Sequence, residues 1–404
     1  MTFCTAPVPF RLEVSKDKLQ WINERVRTSN IIQDVPHKPE GEWGDGVPSG
    51  VIQDYVKFWK YRYDWRKEEA RINDALPMFT IPIALDGRDI ISVHFVHKRS
   101  ETPGAVPLLF AHGWPGNFLE VRILILFFRM HIEHHFQVQS LLSLTDPYGL
   151  HIIAPSIPGF SFSSPPQSTP GISIHQIAST YHKLMQELGY SRYLVQGGDW
   201  GSLIVRSMSF QHPEACIGIH INTVVASSPS PLRQPFSFAR YVVGLLQGTI
   251  GYDKMRLWET GQESGYAKIQ GTKPQTISYA LADSPIGMLA WILDKLHVLA
   301  SPGYEWDKTL VITWATLYLL ADSSWHSRLY KYNGFIDNMI PPTVAFGASI
   351  FPYDARYAPR WLAKAMVGRN LVFWREHETG GHFASVEVPD LFLVSSSVAL
   401  VCGQ

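Results

Sequence analysis

Tyr193-Leu194-Val195 is followed one residue later by Gly197-Gly198-Asp199-Trp200-Gly201, and then by a helical pattern. A short apolar run that stops at glycines and restarts as a helix is a strand turning sharply into a helix. The pentapeptide has the small–x–nucleophile–x–small layout of a nucleophile elbow, in which glycine tolerates strained backbone angles and close packing. Its centre carries Asp where most elbows carry Ser. Serine needs a neighbouring base before it can attack, whereas a carboxylate is already ionised at pH 7. Such a weak nucleophile suits displacement of a leaving group at a saturated carbon, leaving an alkyl ester on the protein. Alone, the pentapeptide reads equally well as an Asp helix cap in a glycine-rich turn.

The flanking sequence decides between these readings. Val106-Pro107-Leu108-Leu109-Phe110 is a short apolar run ending in His112-Gly113-Trp114-Pro115-Gly116, and Leu150 to Ala154 is another, ending at Pro155. Ser173 opens a helix with Ile174, Ile177, Ala178, Tyr181, Leu184, Met185 and Leu188 on its apolar face, and Gln176 completes a capping box. Strands alternating with helices imply a parallel sheet buried on both faces, with ligands at the carboxyl ends of its strands. The expected class is α/β: an α/β-hydrolase core with a mostly parallel sheet, a helical lid insertion and an N-terminal extension. The expected divisions are 1–100 for the N-terminal segment, 101–225 for the first part of the core, 226–340 for the lid and 341–404 for the second part of the core. In the first of these, Ser15 is placed to cap a helix with Leu19, Ile22 and Val26 on one face. Polar-aromatic stretches follow at 55–60 and 63–66. Residues 79–83 and 90–96 then form a hairpin signal around Asp86-Gly87.

In this fold an earlier strand-ending loop supplies one oxyanion-hole amide and the residue after the nucleophile supplies the other. The N–H groups of Trp114 and Trp200 are therefore the candidate donors. A triad histidine follows the nucleophile and the acid in chain order. His382, in Gly380-Gly381-His382-Phe383, fits and would activate water against the ester. The acid is expected just after a strand between them. Asp354 follows the run Val344 to Gly347, with Asp337, Glu376 and Glu378 as competitors. It would orient His382 and stabilise the imidazolium.

On these motifs the chain resembles the microsomal-type epoxide hydrolases, closest to their soluble fungal members. The resemblance spans nearly the whole chain. It includes Tyr63-Asp64-Trp65-Arg66 and Phe79-Thr80, the His-Gly-Trp-Pro-Gly loop, the Gly-Gly-Asp-Trp-Gly elbow, Ser284-Pro285-Ile286-Gly287 with Ala290-Trp291-Ile292, and Gly-Gly-His-Phe. It implies conversion of an epoxide and water to a vicinal diol, no cofactor, and two lid tyrosines. By local match these are Tyr266 and Tyr330, which would protonate the alkoxide that ring opening creates. The resemblance departs at residues 131–148 and 252–260, which carry no family feature, and the short N-terminal segment is expected to lack the family's membrane anchor.

Composition narrows the remaining classes. The 404 residues carry 35 Lys+Arg and 35 Asp+Glu, so the chain lacks the basic footprint of a nucleic-acid partner. Cys4, Cys216 and Cys402 are too few and odd in number for a disulfide framework. The best apolar run, Ile123 to Phe128, is too short to span a bilayer. With no secretory or prenylation signal at either end, the expectation is a cytoplasmic, soluble protein. A homodimer is a mild expectation. His131, His134 and His135 have no zinc-motif spacing, and His377-Glu378 stands one residue too far from His382, so no metal is expected. Trp59, Trp65, Trp291 and Trp314 read as packing residues. Two other functions fit parts of the pattern: a haloalkane dehalogenase using the same Asp, and an idle α/β-hydrolase serving as a small-molecule receptor.

Overall fold

The computed structural model describes residues 6–36, 41–85, 89–122, 149–247, 261–321, 323–334, 338–354, 358–393 and 395. The turn at Asp86-Gly87, residues 123–128, Cys4, Cys402, the histidines at 131, 134 and 135, and Asp337 lie outside these residues.

Among the described residues nine strands form one sheet: β1 (Val8–Phe10), β2 (Met78–Leu85), β3 (Asp89–Lys98), β4 (Val106–Ala111), β5 (Leu150–Pro155), β6 (Tyr193–Gly197), β7 (Cys216–Ile221), β8 (Ala345–Ile350) and β9 (Leu371–Glu376). Their order is β1-β2-β3-β5-β4-β6-β7-β8-β9. From β5 across to β9 every pairing is parallel. The N-terminal hairpin β2–β3 joins this sheet antiparallel, through β3 and β5. Every residue of β6 and β8 is buried. That is why these strands read as mostly apolar runs with no alternation.

The described helices before the hairpin are α1 (Lys16–Thr28), α2 (Ser49–Tyr61) and α3 (Trp65–Ala75). Ser15 caps α1 by accepting the Lys18 N–H, and Ile22 and Val26 are buried. The polar-aromatic stretches prove helical: α2 buries Ile52, Tyr55, Val56 and Trp59, and Asp64 caps α3 through the Arg66 and Lys67 amides. Their charged outer faces obscured the periodicity. In the core, α4 (Ile174–Glu187) has the expected Ser173–Gln176 capping box, and α5 (Asp199–Gln211) follows β6.

Between β7 and β8 the described elements are helical: α6 (Pro235–Leu246), α7 (Gly265–Thr272), α8 (Pro274–Asp283), α9 (Pro285–Leu299), α10 (Lys308–Leu320) and α11 (Ser323–Tyr332). α10 is apolar almost all round and correspondingly buried. Short helices α12 (Arg360–Met366) and α13 (Ala384–Glu387) flank β9. Helix resumes at Pro389. One continuous hydrophobic cluster joins the sheet, the N-terminal helices and the inserted helices. Among the described residues no single helix is long and apolar enough to cross a membrane. The pair α8 and α9 would pass on composition but is bent by 116°.

Candidate active site

The turn from β6 into α5 puts Asp199 at φ 51°, in the left-handed region that a residue with a Cβ seldom adopts. Its own N–H donates to Thr223 Oγ1 at 3.0 Å. The strained residue therefore stands at the mouth of the turn with its carboxylate facing the loop after β4. There Trp114 N–H donates to Asp199 Oδ1 at 2.8 Å. That approach requires glycine at 113, where a Cβ would fall 2.2 Å from the same oxygen. His112 pins the loop: Nε2 accepts the Ile157 N–H at 3.3 Å, leaving Nδ1–H to donate to the Gly113 carbonyl at 3.0 Å. Burial pushes its pKa down to about 4, so it acts as a neutral strut.

His382 reaches the carboxylate from the opposite side, with Nε2 at 3.4 Å from Asp199 Oδ2. Its Nδ1 lies 2.5 Å from Asp354 Oδ1. A bridge between Tyr353 and Gly381 holds the two loops that carry these residues, and the His382 N–H is anchored on the Leu299 carbonyl at 2.9 Å. Asp354 Oδ2 accepts from Thr223 Oγ1 at 2.9 Å. Burial alone would lower the His382 pKa. The charge of Asp354, hydrogen bonds to Asp199 and Asp354, and the charge of Asp199 outweigh it and hold the imidazole well above its ordinary value. Of the competing acids that are described, Glu376 takes the Trp374 indole N–H and Glu378 is exposed.

Above the carboxylate, Tyr266 of α7 stacks on the Trp114 ring, with centroids 4.8 Å apart and planes 12° apart. Tyr330 of α11 meets Trp114 and Trp200 edge-on, at 5.8 and 5.0 Å. The rings of the two tyrosines lie 5.7 Å apart, and their hydroxyls are within hydrogen-bonding reach. Burial, followed by the neighbouring Tyr266 and Asp199, raises the Tyr330 pKa well above 10, so its phenol stays protonated. Other lid tyrosines are used elsewhere. Tyr318 donates to the Gly116 carbonyl at 2.7 Å, and Tyr279 points to solvent.

Trp200 N–H is the other expected donor. Among the described residues no hydrogen bond joins its N–H to the Asp199 carboxylate. That amide belongs to the first turn of α5, and the side chain is spent on Tyr330. Sequence reasoning passed over Thr223, which bridges nucleophile and acid, and His326, whose Nδ1 accepts the Trp114 indole N–H at 3.2 Å. Neither lies in a motif. The one available signal for Thr223 is its place just beyond the β7 end, where sites in parallel sheets gather. Among the described residues, no cluster of three or more His, Cys, Asp or Glu side chains is arranged to hold a metal ion.

The family model "Epoxide hydrolase N terminus" matches residues 7–121, and "alpha/beta hydrolase fold" matches residues 106–254. A Stigmatella aurantiaca protein assigned to the epoxide hydrolases is 32% identical over 397 residues, covering 95% of this chain and 82% of that protein. Epoxide hydrolase 1 of Sus scrofa is 30% identical over 414 residues, covering 95% of this chain and 86% of the relative. The solved structure of Aspergillus niger epoxide hydrolase superposes with a TM-score of 0.80 at 29% identity, covering 98% of this chain and 96% of that one.

Proposed function

The chain belongs to the epoxide hydrolases of the α/β-hydrolase fold, and from that premise we propose a two-step reaction carried by the residues around Asp199. In the first step an Asp199 carboxylate oxygen attacks an epoxide carbon and the C–O bond of the ring breaks. Tyr266 and Tyr330 hydrogen-bond the departing oxygen and deliver a proton as its charge develops. The product is a hydroxyalkyl ester on Asp199. In the second step His382 takes a proton from water, which attacks Cγ of the ester. The oxyanion forms against the Trp114 N–H, and collapse releases the vicinal diol. Asp354 keeps the imidazole oriented and stabilises its charged form.

The observation that carries this reading is the reach of one carboxylate to two partners. Asp199 is 2.8 Å from an amide donor and 3.4 Å from an imidazole backed by a second carboxylate. The paired phenols favour an epoxide over a haloalkane, because a departing halide needs N–H donors and no proton. We extend the reading to cytoplasmic placement and a homodimer, checked by fractionation and light scattering. The decisive experiment incubates the protein with styrene oxide and small aliphatic epoxides in 18O water and detects the diols. His382→Gln should trap the ester as a mass adduct on Asp199. Full turnover by that variant, or halide release from a chloroalkane with no diol from any epoxide, would overturn the assignment.

A further inference from the structure

Behind the Asp199 carboxylate lies a cavity of about 20 Å³, bordered among others by Gly113, Gly116, Glu120, Asp199, His382 and Ser385. That volume accommodates about one water molecule, and the walls offer it the several polar partners such a water needs. The two groups that must act on the ester, His382 and Asp199, both face it. So does a third ionisable group with no part in the steps above. Glu120 follows the His112–Gly116 loop and turns its carboxyl into the space. Gly116 makes room for it, since a Cβ there would fall 1.9 Å from Glu120 Oε1. Ser385 Oγ donates to Glu120 Oε2 at 3.3 Å and fixes the far oxygen. An acidic side chain placed in an apolar-backed site beside a reacting carboxylate is costly, and packing alone would be served better by an apolar residue.

We propose that this cavity seats the hydrolytic water and that Glu120 is the side chain that orients it. The water gives one O–H to His382 Nε2 and the other to a Glu120 oxygen, which leaves a lone pair directed at Cγ of the Asp199 ester. As the water oxygen bonds to Cγ, its first proton passes to His382. The ester C–O bond then breaks and the same proton leaves with the diol oxygen. The second proton, released when the new carboxylic acid at Asp199 ionises, restores the phenol that gave up its proton in ring opening. Glu120 ends as it began, so it is a positioning residue. Burial, with His382 opposing and Asp199 adding, raises the Glu120 pKa to about 7. Esterification cancels the charge of Asp199 and its share of that rise, which favours the accepting form of Glu120 when the water must be held.

The inference rests on the covalent reading of Asp199, and the test separates the two. Single-turnover kinetics with styrene oxide resolve ester formation from ester decay in the parent, Glu120→Leu, Glu120→Gln and Ser385→Ala. Glu120→Leu should form the ester within about twofold of the parent rate and hydrolyse it about 100-fold more slowly, the scale of a misplaced reactant. Glu120→Gln keeps an acceptor oxygen and should recover most of that loss. Ser385→Ala removes one anchoring hydrogen bond and should slow decay about threefold to tenfold. Parent-like decay in Glu120→Leu, or equal slowing of both steps in all three variants, would overturn the water site. If Glu120→Leu does not fold, the Glu120→Gln and Ser385→Ala decay rates decide alone, and parent-like decay in Ser385→Ala with slowed ester formation counts against the proposal. Absence of any ester on Asp199 in the parent would instead remove the covalent reading itself.

Discussion

Thr223 Oγ1 donates to Asp354 Oδ2 at 2.9 Å while its lone pair accepts the Asp199 N–H at 3.0 Å. One hydroxyl thus joins the backbone of the proposed nucleophile to the carboxylate proposed to orient the base. The first is buried and has a charged acceptor, so it is of the stronger kind, while the second is partly buried. Thr223→Val keeps the shape and removes both. Hydrogen bonds to charged groups contribute about 1.5–3 kcal/mol. Ester hydrolysis should therefore fall about tenfold to a hundredfold if that energy holds Asp354 against His382, and Thr223→Ser should restore it. Stopped-flow measurement of ester decay checks this. A valine variant that decays like the parent would show that Asp354 needs no such support.

How much of this was legible in the sequence follows from distance along the chain. The Ser173–Gln176 capping box and the elbow at Asp199 are local, because neighbouring residues determine them. Asp354 and His382 were found by the chain order of the fold, and the structure brings them into contact. Thr223, Glu120 and His326 carry no such mark. Thr223 meets Asp354 across 131 residues, Glu120 meets Ser385 across 265, and His326 meets Trp114 across 212. A threonine after a strand or a glutamate on a helical turn is too common to single out until tertiary packing supplies its partner. The helices at 49–61 and 65–75 were missed for a different reason: aromatic and charged residues interleave there, and the apolar face shows only once its buried positions are known.

The phenols should act on the first step alone. A positioned general acid contributes about 10²- to 10⁴-fold, and here two hydroxyls share the task. Tyr330→Phe and Tyr266→Phe should each slow ester formation about 10²-fold, and the double variant about 10³-fold or more. Decay of an ester already formed should be unchanged. Because burial holds the Tyr330 proton well above pH 10, this group should cause no alkaline decline in ester formation below that pH. Rapid-mixing fluorescence in each variant tests the division. Equal slowing of both steps would place the tyrosines in binding or folding.

His382 should change its proton affinity during the cycle. In the resting protein Asp354 and Asp199 raise its pKa against the effect of burial. Esterification removes the Asp199 charge, so the imidazole becomes easier to deprotonate when a base is wanted. Asp199→Asn imitates that neutral state. The His382 titration, followed by NMR, should have a lower midpoint in Asp199→Asn than in the parent. The linked stability has a definite sign. A folded pKa above the unfolded value near 6.5 gives stability that is complete below pH 6.5 and lost as pH rises through the folded value. In Asp199→Asn that loss should still begin near pH 6.5 but end at lower pH and be smaller in total. An unchanged midpoint would mean that the 3.4 Å approach of Nε2 to Asp199 carries little charge coupling.

Glu120 gives the opposite kind of stability signal from an ordinary surface carboxylate. Its folded pKa is raised to about 7, above the usual 4.5 of a glutamate, chiefly by burial. Below the unfolded pKa both states hold the proton and the group is neutral to folding. As pH rises from about 4.5 to about 7 the unfolded chain releases the proton first, so stability falls across that window and then levels off. The gap corresponds to about 3.5 kcal/mol at most, since each pKa unit is about 1.4 kcal/mol. Glu120→Gln cannot ionise and should escape this loss, while giving up part of the Ser385 hydrogen bond. Its melting temperature should match or fall slightly below the parent at pH 4 and exceed it at pH 8, with the curves crossing between. Calorimetric scans at both pH values are sufficient. A glutamine variant less stable than the parent at pH 8 would mean that the folded protein stabilises the charged form of Glu120, contrary to the desolvated site its surroundings describe.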